Sequence, residues 1–194
     1  PGTLGQEGID YIISDKFVIP QEQSSFYSEN IIYLCDCFYP KDNNRKISEK
    51  KFSRSDLNIN QSAFVFCSFN NSYKITNQEF KIWMRILKKV NNSFLILLSN
   101  SQKMKDNILD QAQKNDVNPK YIKFVDYLNY EDHMARHKLF DLFLDSFNYN
   151  AHTSAIDSIW AGLPILTKVG KSFSSRICGS ILNSLGLNEL ITFS

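Results

Sequence analysis

Ala63-Phe-Val-Phe-Cys-Ser68, then Thr76-Asn-Gln-Glu79, then Ser93-Phe-Leu-Ile-Leu-Leu98 is the stretch whose reading decides the fold. The first and third pieces are short apolar runs of strand length with polar residues on either side, the pattern of buried strands. The middle piece fits a capping box, with a Thr whose hydroxyl serves a helix N-terminus and a Glu three residues on that reaches back. Phe80, Trp83, Leu87 and Val90 then fall on one helical face. A strand, a helix and a second strand at this spacing imply a crossover between parallel neighbours.

The alternation continues outward. Residues 121–125, 142–145 and 164–167 read as further strands, and helices are expected over about 103–115, about 131–139 and from Thr153 to a stop at Gly162 with Pro164 beyond. The expectation is an α/β chain, a Rossmann-like doubly wound parallel sheet with helices on both faces. In such sheets ligands sit beyond the carboxyl ends of the strands. Upstream, residues 9–13 and 31–34 read as two strands around a short helix near 21–27, too little for a separate core. The chain is expected to divide into the tail of a preceding α/β unit over 1–46, a linker over 47–61 and a Rossmann-like domain over 62–194 that is incomplete at its C-terminal end. It starts on Pro1 without an initiator Met and stops where an element begins, so a piece of a longer protein is expected.

Composition narrows the classes of function. At 194 residues the chain has room for about one domain, and a net charge of +2 gives no basis for a nucleic-acid surface. The basic stretch 41–54 also contains Asp42 and Glu49 and reads as a solvated linker rather than the alternative, a phosphate-binding patch. The four cysteines show no CxxC pair and no disulfide framework, which favours a reducing compartment. The apolar run 94–98 is far short of the roughly 18 residues that span a bilayer, so no membrane partner and a cytoplasmic location are expected.

Four strand-to-helix segments carry candidate chemistry. Asn70-Asn-Ser-Tyr-Lys74 brings Asn71 and Lys74 to the ligand edge, where a Lys neutralises phosphate and an amide donates hydrogen bonds, although a plain polar turn accounts for the same residues. His152-Thr-Ser-Ala-Ile-Asp157 sets His152, Thr153 and Ser154 across a helix start, a favourable place for an anion, with Asp157 on the same face as Thr153 and able to accept from a ribose diol. An ordinary Thr cap is the alternative. His133 and Arg136 lie three apart on one face, fit to stack on and hydrogen-bond a base, or simply to pair with Glu131 and Asp132. Lys168-Val-Gly-Lys-Ser-Phe-Ser-Ser-Arg176 reads either as closure over phosphates or sugar or as a plain helix start. No P-loop, GxGxxG, HExxH, GxSxG or Asp-x-Asp metal pair is present, so no metal is expected.

In order, Pro1-Gly-Thr-Leu-Gly5, Asp10-Tyr-Ile-Ile-Ser-Asp15, Phe69-Asn-Asn-Ser-Tyr-Lys-Ile75, Glu131-Asp-His-Met-Ala-Arg136, Leu144-Asp-Ser146, His152-Thr-Ser-Ala-Ile-Asp157 and Trp160-Ala-Gly-Leu-Pro164 resemble the catalytic region of the O-linked N-acetylglucosamine transferases, a family that includes SPINDLY-like plant proteins. The resemblance covers nearly the whole chain. It implies the C-terminal, donor-binding half of a GT-B fold and the tail of the N-terminal half. It also implies UDP-GlcNAc as donor substrate, no cofactor, and metal-independent inverting transfer to Ser or Thr of a protein acceptor.

By matching position the resemblance gives Lys74 the catalytic contact with the diphosphate, with Asn71 beside it where the family usually has Gln. His133 and Arg136 would hold the uracil, Thr153 and Ser154 the phosphates, His152 the sugar or diphosphate, and Asp157 the ribose. Tyr130 stands where Lys is common, and Ser154 and Ala155 replace Thr and Gly of a His-Thr-Thr-Gly pattern. GDP-fucose or UDP-glucose as donor, or an inactive UDP-binding scaffold, are the competing readings. The resemblance further implies an acceptor-side domain with its catalytic His residues and tetratricopeptide repeats upstream, and closing helices downstream. This stretch alone is expected not to turn over.

Overall fold

The computed structural model describes residues 2–193. Its centre is a six-stranded parallel sheet of β3 (Phe64–Ser68), β4 (Ser93–Leu98), β5 (Ile122–Val125), β6 (Leu142–Leu144), β7 (Ile165–Lys168) and β8 (Ile191–Thr192), in the spatial order β5-β4-β3-β6-β7-β8. The chain runs outward from β3 through β4 to β5, then crosses back to β6 on the other side of β3. The strand order therefore reverses between β3 and β6, and their carboxyl ends flank the crevice of a doubly wound sheet.

Local sequence explains the helices. In α1 (Asn77–Lys89) the Thr76 hydroxyl accepts from Glu79 N and the Glu79 carboxylate accepts from Thr76 N, as the capping box predicts. Phe80, Trp83 and Met84 are buried against Phe66, Leu95 and Leu97, and burying each such side chain contributes about 1.5–3 kcal/mol. With α2 (Gln102–Lys114), α1 covers one face of the sheet. The other face is packed by α3 (Tyr130–Arg136), α4 (Thr153–Trp160) and α5 (Ile177–Ser184). The end of α4 is set by Gly162 at φ +82°, a left-handed turn that lets Leu163 N reach Ser158 O. The helix expected over about 131–139 continues past Arg136 only as a 3-10 turn, His137–Leu139.

The N-terminal segment forms β1 (Tyr11–Ser14) and β2 (Asn30–Tyr33), a parallel pair, around a 3-10 helix at Gln21–Phe26. It has no core of its own and is fastened to α5. Asp15 is 1% exposed and accepts from Phe17 N, Val18 N, Phe38 N and Ser180 Oγ. Val18 and Ile19 enter the main core. Among the described residues no helix is long and apolar enough to cross a membrane.

The basic stretch 41–54 differs from the solvated linker expected of it. Arg54 makes a two-pronged pair with Asp141, at 2.8 and 2.9 Å, and donates to Leu139 O and Ala63 O. Lys41 and Arg45 both reach Asp157. These carboxylates lie far along the chain, so composition alone could not reveal that the charges are used inward.

Candidate functional site

Asp145 follows β6 directly and organises the crevice from underneath. It is 2% exposed, and its Oδ1 accepts from Ala151 N (2.6 Å), Ser146 N (2.7 Å) and Asn70 Nδ2 (3.1 Å) while Oδ2 accepts from Thr167 Oγ1 (2.6 Å). Burial pushes its carboxyl above the usual range, against the pull of those donors. Asp145 thus joins the ends of β3, β6 and β7 and holds both ends of the loop that leads into α4. Glu79 completes the frame by accepting from Phe147 N, which ties the start of α1 to the same loop.

Lys74 rises from a 3-10 turn, Ser72–Lys74, after β3. Its Nζ donates to Asn150 O at 3.3 Å and lies 4.2 Å from the centroid of the Tyr149 ring. That ring in turn stacks on His152, with centroids 4.7 Å apart and planes 27° apart. Among the described residues no carboxylate pairs with Lys74, and burial lowers its pKa. His152 Nε2 is 3.3 Å from Ser174 O, which makes it the donor and leaves Nδ1 as acceptor. Burial, with the Lys74 charge adding to it, brings the His152 pKa down to about 4.

His133 and Arg136 come together, but not as two side chains facing outward. Arg136 is 4% exposed and directs Nε and Nη2 at His133 Nδ1 and Nη1 at Asp126 O, with its guanidinium over Phe69. The pairing with Glu131 and Asp132 is also absent, since Asp132 meets Lys50 and Asn129. Burial brings the Arg136 pKa down to about 10 and that of His133 to about 3.

Asp157 Oδ1 accepts from three side chains at once, Lys41 Nζ at 2.8 Å, Tyr130 Oη at 2.9 Å and Arg45 Nη1 at 3.3 Å. Among the described residues no donor reaches its Oδ2. Thr153 Oγ1 lies 2.9 Å from Tyr39 Oη, and Ser154 sits half-buried in the first turn of α4. Asn71 is exposed on the rim, its amide turned to Tyr73 Oη rather than to Lys74. In the Lys168–Arg176 segment, Arg176 is engaged structurally with Phe17 O and Gly170 O, which accounts for its presence without a ligand. Sequence reading missed Tyr39 and Tyr149, and had Lys41 and Arg45 only within a stretch read first as a solvated linker. Only their place in the basic stretch 41–54 hinted at Lys41 and Arg45. Among the described residues no three His, Cys, Asp or Glu side chains converge on one point.

The architecture is that of the GT-B class. The structure is similar to that of an O-GlcNAc transferase mutant from Thermobaculum terrenum, with a TM-score of 0.82 at 20% identity over 95% of this chain and 35% of that one. The model of glycosyl transferase family 41 matches residues 47–194, and the chain belongs to that family. It is 33% identical over 194 residues to the probable UDP-N-acetylglucosamine–peptide N-acetylglucosaminyltransferase SEC of Arabidopsis thaliana, covering 97% of this chain and 20% of that protein. It is 34% identical over 139 residues to the UDP-N-acetylglucosamine–peptide N-acetylglucosaminyltransferase of Caenorhabditis elegans, covering 72% of this chain and 12% of that protein. The chain thus spans a fifth or less of the length of these relatives.

Proposed function

We propose that this chain is the donor-binding region of a cytoplasmic glycosyltransferase that transfers GlcNAc from UDP-GlcNAc to Ser or Thr of proteins, inverting the sugar and using no metal. Residues 62–194 form the donor domain, 47–61 the connection, and 1–46 the end of the acceptor-side domain, whose remainder lies upstream with the tetratricopeptide repeats. The observation that carries this reading is Lys74, a cation that among the described residues has no carboxylate partner, at the point where the strand order reverses, beside Tyr149 and His152.

The chemistry follows from charge. The acceptor hydroxyl oxygen bonds to the anomeric carbon from the face opposite the nucleotide, the bond from that carbon to the diphosphate oxygen breaks, and the hydroxyl proton passes to a base on the acceptor side. The sugar becomes oxocarbenium-like while negative charge grows on UDP. Lys74 and the free N–H groups at the start of α4 meet that growing charge, with the Thr153 and Ser154 hydroxyls and His152 close by. Asn71 sits at the rim. His133 presents to the uracil an imidazole whose tautomer Arg136 fixes, which makes Arg136 a positioning residue. Asp157 Oδ2 faces the ribose.

The test is transfer by the intact protein to a Ser/Thr peptide library, with UDP-GlcNAc, UDP-glucose and GDP-fucose as separate donors. Transfer from UDP-GlcNAc supports the reading. Transfer only from another donor, or tight UDP binding without transfer, replaces it with a related transferase or a binding scaffold.

A further inference from the structure

The segment from Tyr39 to Arg45 crosses the first turn of α4 and encloses, with Thr153 and Ile156, a pocket of about 170 Å³. Two cations enter this pocket from the segment, and both are tied to one carboxylate oxygen, Asp157 Oδ1. The side chains are 17% exposed for Lys41, 33% for Arg45 and 11% for Asp157, so one negative charge faces two positive ones in a partly dry setting. Local positive charge is left over. Arg45 lies with its guanidinium 4.9 Å from the Tyr130 ring centroid, and Nη1 donates to both Tyr130 Oη and Asp157. Among the described residues Nε and Nη2 have no acceptor, and Lys41 Nζ has one partner of the three it can serve.

We infer that this segment is a second wall of the donor site, and that Lys41 and Arg45 bind the phosphate nearest the ribose of the donor nucleotide. The inference rests on the reading of Asp157 as a ribose contact given under Proposed function. Asp157 then has two duties, with Oδ1 anchoring the two cations and Oδ2 taking the ribose. A phosphate attached to that ribose falls within reach of the unused N–H groups. The anchoring fixes the cations before the ligand arrives, so less side-chain freedom is lost on binding. Arg45 brings a planar fork suited to phosphate oxygens and Lys41 a point charge.

The experiment is calorimetric titration of the intact protein with uridine, UMP and UDP, comparing wild type with Lys41→Met, Arg45→Gln and Arg45→Lys. The readout is the preference for UMP over uridine, which cancels any general loosening of the site. The expected result is a fall in that preference of about tenfold or more in Lys41→Met and Arg45→Gln, with most of it retained in Arg45→Lys. Folded variants that keep the full preference overturn the inference, as does an equal loss for uridine and UMP. If Arg45→Gln does not fold, an Arg45→Lys protein that loses all preference for UMP overturns the role of charge. Wild-type protein that binds none of the three overturns the reading of the whole site and this inference with it.

Discussion

Arg136 directs two hydrogen bonds at a single nitrogen of His133, from Nε at 3.0 Å and from Nη2 at 2.7 Å, both to Nδ1. A guanidinium has donors only, so Nδ1 is the acceptor and the ring proton resides on Nε2. Asp126 O holds the third corner of the fork and Phe69 lies beneath it. An imidazole fixed in this way offers one N–H donor of set direction.

Arg136→Met should free the tautomer while leaving most apolar contacts in place. Nitrogen NMR of the His133 ring is expected to show the Nε2–H form alone in the wild type and a mixture in the variant. A mixture already present in the wild type would contradict the geometry.

Acid should destabilise the fold in a defined window. The folded-state pKa values of His133, about 3, and His152, about 4, lie below the ordinary value of about 6.5. Burial, the largest cause at both sites, keeps them neutral in the folded state while the unfolded chain takes up protons. Their contribution is therefore complete above about pH 6.5 and is lost as pH falls through about 4 and then about 3. His137, also lowered by burial, acts in the same direction. Denaturant unfolding between pH 7.5 and 4 should show stability falling from about pH 6.5 downward. A flat profile would contradict it.

Gly179 tests how the N-terminal segment is held. A Cβ built there would lie 2.6 Å from Phe17 Cε1 and 2.8 Å from Val169 Cγ2. Gly179→Ala should therefore cost about 1–3 kcal/mol by overpacking, read as a lower midpoint in thermal unfolding. An unchanged midpoint would mean that Phe17 does not rest on α5.

Lys74→Ala in the intact protein should lower the transfer rate by about 10²-fold or more without a matching loss of thermal stability. The ammonium meets a backbone carbonyl and a ring face, neither of which needs it for folding. Turnover near the wild-type rate would remove Lys74 from the chemistry.

The sheet was legible because its strands are short apolar runs and its helices carry their own signals. The Thr76–Glu79 capping box and the Gly162 stop both sit where the local residues place them. The site was legible as a set of segments, since the fold itself brings strand-to-helix loops to one edge. What could not be read was how side chains partner across the chain. Arg136 looked like a surface group because helical spacing says nothing about Phe69 and Asp126 closing over it. Lys41 and Arg45 looked solvated because their carboxylate belongs to α4. Asp145 was marked only as part of Leu144-Asp-Ser146 at the end of an expected strand, and its role as a hub could not be read because its four donors come from four different positions along the chain.

The most direct test of the donor-site assignment is calorimetric titration of the intact protein with UDP, with GDP as control and Lys74→Ala as the second protein. The account predicts selective binding of UDP, weakened by the substitution. A folded protein that binds neither nucleotide, or binds UDP equally well with and without Lys74, would contradict it.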